Sequence, residues 1–420
     1  MTAATDAIGE RAEAMIEALA TISAEEGKLT RLYLTPEHKR AATLVGNWMR
    51  RAGLAVRMDA SGTMHGLLAA GRDGPRADKR LLVGSHIDTV VDAGRYDGNL
   101  GVVTAILAVE ELRARGVALP FAVEVLAFGD EEGVRYPKTL STSSAVAGIV
   151  DPAILDLVDE SGMTMRAALA EFGGDPDHLA SEGYNRAGVI GFIEVHIEQG
   201  PVLDQAGEAL GVVSAIASQG RYRLHVRGEA GHAGTVPMAL RHDALAGAAE
   251  IMGAVEEIAR QGVKAGLVAT VGEMKVRPGA SNVIPGAVEF SLDVRASDDV
   301  ARAAAVNTIR ERARQIGLQR GLVVGMETVH EKAVAVAAPW LRRAMSGAIA
   351  DVTGKAPREL MSGAGHDGQA MIHLTDIGMM FVRCRAGISH NPLESVTVAD
   401  MGLAVEALVA TIAEIAEIAS

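Results

Sequence analysis

The segment "GSHIDTVVDAGRYDGNLG", residues 84–101, follows a short apolar run at residues 81–83. The run is typical of a buried strand, and the segment after it is punctuated by glycines. It carries His86, Asp88 and Asp97. His86 and Asp88 are two residues apart, so on an extended backbone their side chains face the same way. An ordinary connecting loop does not require this arrangement, which therefore indicates a ligand site at the end of a strand.

Composition favours a large, acidic, two-domain protein. The chain has 420 residues, 49% of them hydrophobic, and a formal net charge of −13. It contains no long basic block, and we therefore exclude nucleic acid and anionic membranes as its main partners. Residues 1–20 lack the pattern of a signal peptide, and no stretch approaches the ~20 apolar residues of a membrane span. We expect a cytoplasmic protein.

Cysteine usage limits the possible metal ligands. The chain has a single cysteine, Cys384. An intrachain disulfide and a thiolate zinc cluster are therefore both impossible. Any metal must be bound by histidine, aspartate and glutamate.

The pattern of the chain changes about halfway along. The first half alternates helix and strand patterns, with helices predicted over residues 8–26, 36–53 and 100–116, and such alternation is typical of a parallel sheet with crossover helices. After residue 210, strands at 221–227 and 288–294 alternate apolar and polar residues, as sheets buried on one face do. Two further helices are predicted over residues 240–262 and 298–316. We expect an α/β domain of residues 1–210 and 328–420, with a mixed, mostly parallel sheet flanked by helices, and an α+β unit of residues 211–327 inserted into it.

Possible metal ligands follow three of the predicted strands. His86 and Asp97 follow the first, the adjacent Glu131 and Glu132 follow the second, and His196 lies at the end of the third. His390 comes far downstream in "GISHNPLE". In open α/β sheets, ligands collect beyond the carboxyl ends of the strands. This set of imidazoles and carboxylates suits zinc, manganese or cobalt, and the ligand types alone do not choose among them.

Each of these signals has an ordinary structural alternative. A lone histidine at a strand end is most often hydrogen-bonded within the fold, an Asp-Glu-Glu run is usually a solvated loop, and an aspartate in a glycine-rich turn commonly serves the turn. Four such positions at strand ends or glycine-rich loops of one domain favour a metal site. In that site, Asp88 can fix the tautomer of His86, and Asp97 can bridge two ions.

A set of motifs resembles the dinuclear-metal amidohydrolases of the M20 peptidase superfamily, and within it the carbamoylase and allantoate amidohydrolase branch. The motifs run in order from about residue 80 to 395 and are "GSHIDTV", "YDGNLGV", "DEEGVRYP", "EVHIEQGPVLD", "GHAGTVPM", "GASNVIPG", "LDVRA", "SGAGHDGQAM" and "FVRCRAGISHNPLE". Many M20 peptidases have a carboxylate where this chain has His196. A histidine at this position is typical of the amidase branch, so we expect the protein not to be a peptidase.

The resemblance implies two divalent metal ions per subunit, zinc or manganese, with cobalt possible. One ion is implied to bind Asp97, Glu132 and His390, and the other His86, Asp97 and His196. Glu131 is implied to be the general base, and Asp88 to orient His86.

The resemblance also makes the inserted unit a ferredoxin-like domain that serves as lid and dimer interface. His232, Asn282 and Arg295 are implied to contact the substrate, with Gln199 near the metals. A homodimer follows from the resemblance, with His232 contributed to the partner's active site. Physically, Arg295 can bind a carboxylate, and His232 and Asn282 can donate hydrogen bonds to an oxygen that gains negative charge. The backbone N–H groups of Gly363 and Gly365 can approach a substrate closely.

We expect hydrolysis of a ureido C–N bond in a small molecule that carries a carboxylate. Gln219 and Arg221 resemble the allantoate branch and could bind the second ureido group of allantoate, which would yield ureidoglycine, ammonia and carbon dioxide. Both could equally be solvated strand residues. Two alternatives stay open: an N-carbamoyl-L-amino acid hydrolase, and a catalytically silent metal-binding or assembly protein on the same scaffold.

Overall fold

The computed structural model describes residues 3–418. The helices are α1 (Ala3–Ala20), α2 (Pro36–Arg51), α3 (Asn99–Ala114), α4 (Ser141–Val146), α5 (Met165–Phe172), α6 (Val202–Ala206), α7 (Ala244–Gln261), α8 (Asp299–Arg320), α9 (Pro339–Thr353), α10 (Gly368–Met371) and α11 (Val398–Ile418). The strands are β1 (Ala55–Met58), β2 (Met64–Leu68), β3 (Arg80–His86), β4 (Ala122–Phe128), β5 (Val189–Ile197), β6 (Leu210–Ile216), β7 (Ser218–Arg227), β8 (Gly231–His232), β9 (Val268–Thr270), β10 (Met274–Arg277), β11 (Val283–Ile284), β12 (Ala287–Ala296), β13 (Val323–Lys332), β14 (Ala335–Val336), β15 (Arg358–Ser362) and β16 (Ile377–Val382). None of the helices within residues 3–418 is long and apolar enough to cross a membrane.

The chain forms two compact units. The first comprises the segments up to Ser214 and from Val336 onward, and the second is the continuous segment Ala215–Ala335. The boundaries predicted from the sequence are 210/211 and 327/328. They lie later in the structure because β6 and β13 extend past those positions.

The first unit contains a mixed sheet with a parallel centre. Its strands lie in the order β1-β2-β4-β3-β5-β16-β6. β3 is parallel to β4 and to β5, and β16 is parallel to β5, whereas β1, β2 and β6 pair with their neighbours in the antiparallel sense. The predicted α/β fold, with a mostly parallel sheet flanked by helices and a second sheet domain, is confirmed.

Burial explains why the central strands carry almost continuous apolar runs. Every residue of β4 is buried, and so is every residue of β3 after Arg80. Strands covered on both faces need apolar side chains at consecutive positions. Gly101, in the first turn of α3, lets that helix lie against β5, because a Cβ there would come within 2.1 Å of the Val195 carbonyl oxygen.

The second unit is built from a five-stranded sheet, a small two-stranded sheet of β8 and β11, and two long helices. The strand order is β10-β12-β7-β13, with β9 also paired to β12, and α7 and α8 pack against the sheet. The order of elements along the chain is that of a split βαβ, ferredoxin-like unit. On β12, residues 288, 290, 292 and 294 are buried and alternate with partly exposed residues, as the sequence pattern predicted.

Several predicted helix boundaries are wrong, including the start of the first helix, which is Ala3 rather than residue 8, and the end of the helix predicted over 298–316, which is Arg320. The first helix ends at Ala20 rather than residue 26, because the chain turns there and the carbonyl groups of Leu19 and Ile22 accept hydrogen bonds from the Arg31 side chain. The helix predicted from residue 240 begins at Ala244, because the side chain of Asp243 caps its first turn.

A buried ion-pair network links β2 to β4. The imidazole of His65 is 1% exposed and lies 3.0 Å from Asp59 Oδ2 and 2.9 Å from Glu124 Oε1. Tyr184 and Arg80 also donate to Glu124, both at 2.7 Å. Burial alone would lower the pKa of His65, but the hydrogen bonds to the two carboxylates outweigh it and raise that pKa.

This network predicts a pH-dependent contribution to stability. At pH values below about 6.5, His65→Ala is expected to reduce the free energy of unfolding by about 3–5 kcal/mol, because buried Asp59 loses its cationic partner and buried Glu124 keeps only Arg80. The reduction should become smaller as pH rises through the raised pKa of folded His65, because the wild-type imidazole then becomes neutral. Urea unfolding can be followed by fluorescence, since both tryptophans, Trp48 and Trp340, belong to the first unit.

His178→Ala is the matched control. His178 also pairs with a carboxylate, that of Asp175, but the two side chains are 71% and 53% exposed. Its loss should change the free energy of unfolding little at any pH, because an ion pair in solvent contributes little to stability. A His65 effect that is independent of pH would contradict the prediction.

Candidate active site

Glycine at position 98 allows the loop after β3 to fold back onto the strand. Gly98 has a φ of 65°, and a Cβ at this position would come within 2.4 Å of the His86 ring. A side chain there would therefore be both strained and obstructed. The tight turn places Asp97 beside the histidine that precedes the loop.

One group of possible ligands consists of His86, Asp97 and His196, which are all buried. Asp97 Oδ1 lies 3.7 Å from His86 Nε2 and 3.1 Å from His196 Nε2. The Nδ1 atom of each histidine faces a backbone carbonyl oxygen, at 3.1 Å from Asp88 O and 2.9 Å from Ile197 O. These bonds fix the ring orientations and leave both Nε2 atoms directed toward the aspartate.

A second group consists of Asp97, Glu132 and His390. His390 Nε2 lies 3.3 Å from Asp97 Oδ2 and 3.6 Å from Glu132 Oε2. Asp97 therefore presents one carboxylate oxygen to each group. In both groups the possible ligand atoms lie within 4.8 Å of one another, and the nitrogen and oxygen donors suit a divalent transition metal.

Asp88 connects the two loops that carry these residues. Its carboxylate accepts hydrogen bonds from the backbone N–H groups of Glu131 and Glu132, both at 3.2 Å. The sequence pattern predicts that this carboxylate accepts the imidazole N–H of His86. In the structure, Asp88 Oδ1 lies 3.4 Å from His86 Nδ1, and the carbonyl oxygen of the same residue is closer.

Negative charge is crowded at this site. Burial, together with nearby carboxylates, raises the pKa of Glu131 to about 8, and that of Glu132 also to about 8. Burial opposes ionisation of Asp97 as well, but hydrogen bonds from three imidazoles hold its pKa well below the usual value. Bound cations would relieve the repulsion among these carboxylates, so the residues present fit a metal centre.

Three residues outside the two groups hold Asp97 in place. Gln199 Nε2 donates to Asp97 Oδ2 at 2.7 Å, and the Ser389 hydroxyl lies 2.7 Å from the same oxygen. Glu394 Oε1 accepts from the backbone N–H groups of Tyr96 and Asp97 at 2.7 and 3.1 Å. Sequence analysis assigned no role to Ser389 or Glu394. The only available signal was their position beside His390 in "GISHNPLE".

Backbone strain is concentrated around the possible metal ligands and the residues that hold Asp97. Seven non-glycine residues in the described chain have positive φ, and three of them are Asp130, Gln199 and His390, with φ of 60°, 56° and 53°. Each left-handed residue of this kind costs about 1–3 kcal/mol. Two of the three contact Asp97 directly, so the strain lies where the side chains must converge.

A further group lies beside His196 and was missed from the sequence. Glu194, His196 and His366 are all buried, with possible ligand atoms within 4.8 Å of one another. Glu194 accepts from Ser85 and from the backbone N–H of Gly368, at 3.0 and 3.1 Å. Glu194 belongs to the strand that also carries His196, two residues away, and this spacing was the signal that could have revealed it.

Gly363 and Gly365 lie in the loop that follows β15. A Cβ on Gly365 would be 3.7 Å from Glu131 Oε1, whereas one on Gly363 would meet no atom within 4 Å. The structure therefore places Gly365, but not Gly363, against the predicted general base.

Three of the predicted substrate residues in the second unit converge on Asp293. Its Oδ2 accepts from Gln219 Nε2 at 2.8 Å and from Arg221 Nε at 3.3 Å, and its Oδ1 accepts from Arg295 Nε at 2.8 Å. The register of β7 with β12 explains this, because Asp293 lies opposite Arg221 and Arg295 opposite Gln219. Asp293 is not among the residues predicted from the sequence, although its position two residues before Arg295 places both on one face.

His232 and Asn282 also lie close together in the second unit. His232 pairs with Val283 in the small β8–β11 sheet, and the backbone N–H of Ala233 donates to the Asn282 carbonyl at 3.0 Å. His232 is exposed. The second unit therefore carries two groups of predicted substrate residues, one around Asp293 and one around His232.

Comparison with known proteins shows the family to which the chain belongs. The family model described as "Peptidase family M20/M25/M40" matches residues 82–414. The chain belongs to this family. The resemblance inferred from the sequence motifs is thus confirmed.

Relatives within the family have more specific names. An allantoate deiminase of Arabidopsis thaliana is 41% identical over 94% of this chain and 80% of its own length. An N-carbamoyl-L-amino acid amidohydrolase of Geobacillus stearothermophilus is 38% identical over 93% of this chain and 94% of its own length. A crystal structure of an amidase of the hydantoinase/carbamoylase family from Burkholderia multivorans superposes with a TM-score of 0.89 at 30% identity and covers 97% of both chains.

Proposed function

We propose that this member of the M20 family is a metal-dependent amidohydrolase that cleaves a ureido C–N bond, with allantoate as its substrate. The observation that carries the proposal is the position of Asp97, whose two carboxylate oxygens face two separate groups of possible metal ligands. A shared carboxylate of this kind is characteristic of two-metal hydrolases.

Two divalent ions fit these groups. His86, Asp97 and His196 would hold one, and Asp97, Glu132 and His390 the other. When bound, the ions supply Lewis acidity toward the substrate carbonyl and make water more acidic.

Glu131 is the proposed proton carrier. Its Oε2 lies 4.0 Å from His86 Nε2, and the bond from its backbone N–H to Asp88 fixes the loop that carries it. Glu131 takes a proton from the attacking water and delivers it to the leaving nitrogen. The reaction consumes one water, and the released carbamoyl group ends as ammonia and carbon dioxide.

The remaining predicted residues bind and orient the substrate. Arg295 offers a planar fork to the carboxylate, and His232 and Asn282 donate to the carbonyl oxygen as it gains negative charge. Gln199 Oε1 is buried and has no hydrogen-bond partner among residues 3–418, so it can accept an N–H from a bound ureido group.

Allantoate is favoured over an N-carbamoyl amino acid by the polar cluster around Asp293. Allantoate carries a second ureido group, and burying such a group without partners costs roughly 2–7 kcal/mol. Gln219 and Arg221 provide polar partners beside Arg295, held together by Asp293. Relatives named allantoate deiminase, at 41% identity, support this choice. An N-carbamoyl-L-amino acid hydrolase is the second candidate, supported by relatives at 38% identity.

Replacing Glu131 should reduce the rate of the reaction without reducing metal binding. Glu131→Gln is expected to keep the metals but to lose about 10²–10⁴-fold in kcat, because it removes a general base and retains the shape of the side chain. Glu132→Gln, the adjacent carboxylate, should lose metal as well. The measurement is turnover and metal content after chelation and return of manganese or zinc. Near wild-type turnover by Glu131→Gln would refute its role.

A substrate panel tests the specificity. We expect kcat/KM for allantoate to exceed that for N-carbamoyl amino acids, and Arg221→Ala to lower the allantoate value by about tenfold or more, since one hydrogen bond to a charged group contributes about 1.5–3 kcal/mol. The variant should leave the values for N-carbamoyl amino acids nearly unchanged. Preference for an N-carbamoyl amino acid that survives Arg221→Ala would support the second candidate instead.

We also propose a homodimer formed through the second unit. β13 ends the path of its sheet, and its outer edge has no strand partner among residues 3–418. Val323 and Val329 on this strand are 71% and 60% exposed. Apolar edge strands tend to pair with another chain, and the family resemblance implies that His232 then serves the partner's active site.

Mixed dimers test this arrangement. His232→Ala and Glu131→Gln subunits should each be inactive, and mixing them should partly restore turnover, because one hybrid site regains both wild-type residues. Subunit exchange is verified independently with differently tagged chains. If exchange is complete and no activity returns, His232 does not act across the interface.

A further inference from the structure

Arg31 is a buried cation that bonds to no carboxylate. Its side chain is fully buried, and its Nε, Nη1 and Nη2 atoms all donate to oxygen atoms. The acceptors are three backbone carbonyl groups and one side-chain amide, and no ion pair involves Arg31 within residues 3–418. Burial without an opposite charge is costly for a guanidinium, so this arrangement calls for a specific explanation.

Its partners include both ends of the loop that carries the possible metal ligands. Nε donates at 2.7 Å to the carbonyl of Ile87, the residue between His86 and Asp88. Nη2 donates at 2.6 Å to Oδ1 of Asn99, which follows Asp97 by two residues. One rigid group thus joins the start of the loop to its end.

The main chain of Arg31 contacts the same loop. Its N–H donates to Thr89 Oγ1 at 2.9 Å, and its carbonyl accepts from the Thr89 N–H at 3.0 Å. The rest of the guanidinium is anchored outside the loop, because Nη1 donates to the carbonyls of Leu19 and Ile22 at 2.9 and 3.1 Å. The loop is therefore tied to the end of α1.

The carbonyl of Leu19 at the end of α1 and the carbonyl of Ile22 in the turn after it stabilise the buried charge. Carbonyl groups at the C-terminus of a helix carry partial negative charge and lack partners within the helix. Burial lowers the pKa of Arg31 to about 10, with Asp88 opposing that effect, so the group remains a cation at neutral pH. A lysine could not replace it, because an ammonium cannot span Ile87, Asn99 and α1 together as the planar fork does.

We propose that Arg31 is a positioning residue that holds residues 87–99 in the conformation that binds metal, before any metal arrives. The loop supplies Asp97, and His86 and Asp88 lie at its start. The positions of all three side chains therefore depend on the distance between the two ends of the loop, which Arg31 fixes. This inference rests on the proposed function only in assuming that these residues bind divalent ions. It does not depend on the substrate.

The test is metal binding by the full-length protein after chelation. Arg31→Ala and Arg31→Lys are titrated with zinc and manganese, and cobalt is added to record its visible absorption. Both variants should bind metal about 10–100-fold more weakly, the usual effect of losing a residue that orients ligands, and the cobalt spectrum should change because the ligand geometry changes.

Arg113→Ala is the matched control. Arg113 lies near the other end of α3, and its guanidinium likewise donates to a backbone carbonyl, that of Ala52. The Arg113→Ala substitution should lower the midpoint of thermal unfolding without changing metal affinity or the cobalt spectrum. If Arg31→Ala does not fold, Arg31→Lys alone decides the outcome, because it retains the charge and most of the volume.

Chemical rescue separates positioning from general stability. Guanidinium ions at concentrations too low to unfold the control should restore metal affinity to Arg31→Ala, because they can occupy the vacated site, and should leave Arg113→Ala unaffected. Wild-type metal affinity and an unchanged cobalt spectrum in both Arg31 variants would overturn the proposal. A protein that binds metal but hydrolyses no ureido compound would refute the proposed function and leave this inference intact.

Discussion

The carboxylate of Asp97 lies among three imidazoles, and most of the surrounding structure serves to keep it there. A carboxylate is more stable in water than buried in a protein without partners. Three histidines, a glutamine and a serine hydroxyl offset that cost, and Glu394 fixes the backbone on which the side chain is mounted. Glycine at positions 94 and 98 makes room for this packing, since a Cβ on Gly94 would come within 2.3 Å of the Glu394 carboxylate.

The two units contribute different chemistry. The first holds the possible metal ligands and Glu131 at the carboxyl ends of its parallel strands, where α/β sheets commonly bind ligands. The second presents cations and amides on the open face of an antiparallel sheet, around Asp293. That cluster of Arg221, Arg295 and Asp293 has a net charge of one positive unit, and such a surface favours a small monoanion over a neutral molecule.

The sequence was sufficient to predict which possible ligands lie together and insufficient to predict which residues hold them in place. His86, Glu132 and His196 could be identified as possible ligands because each lies at or just after the end of an apolar run, and the strand periodicity fixes where such runs end. The contacts of Arg31 and Glu394 could not be predicted, because Arg31 reaches Asn99 across 68 residues and Glu394 reaches Tyr96 across 298. No local pattern indicates that an arginine is buried. The carbonyl oxygen of Asp88, which faces Nδ1 of His86, was also not predicted. Every residue has a backbone carbonyl group, so the sequence does not mark which one accepts a hydrogen bond.

The position of β16 has a consequence for the order in which the protein folds during synthesis. β16 lies between β5 and β6 in the sheet, yet it is made after the entire second unit. A ribosome therefore releases a first segment whose sheet lacks the strand between β5 and β6. The backbone hydrogen-bonding groups along that edge of β5 stay exposed until β16 is made. The second unit is continuous in the chain, and we expect it to fold first. The large sheet then closes late through contacts of long sequence separation, which makes it slow to form and exposes the nascent chain to aggregation.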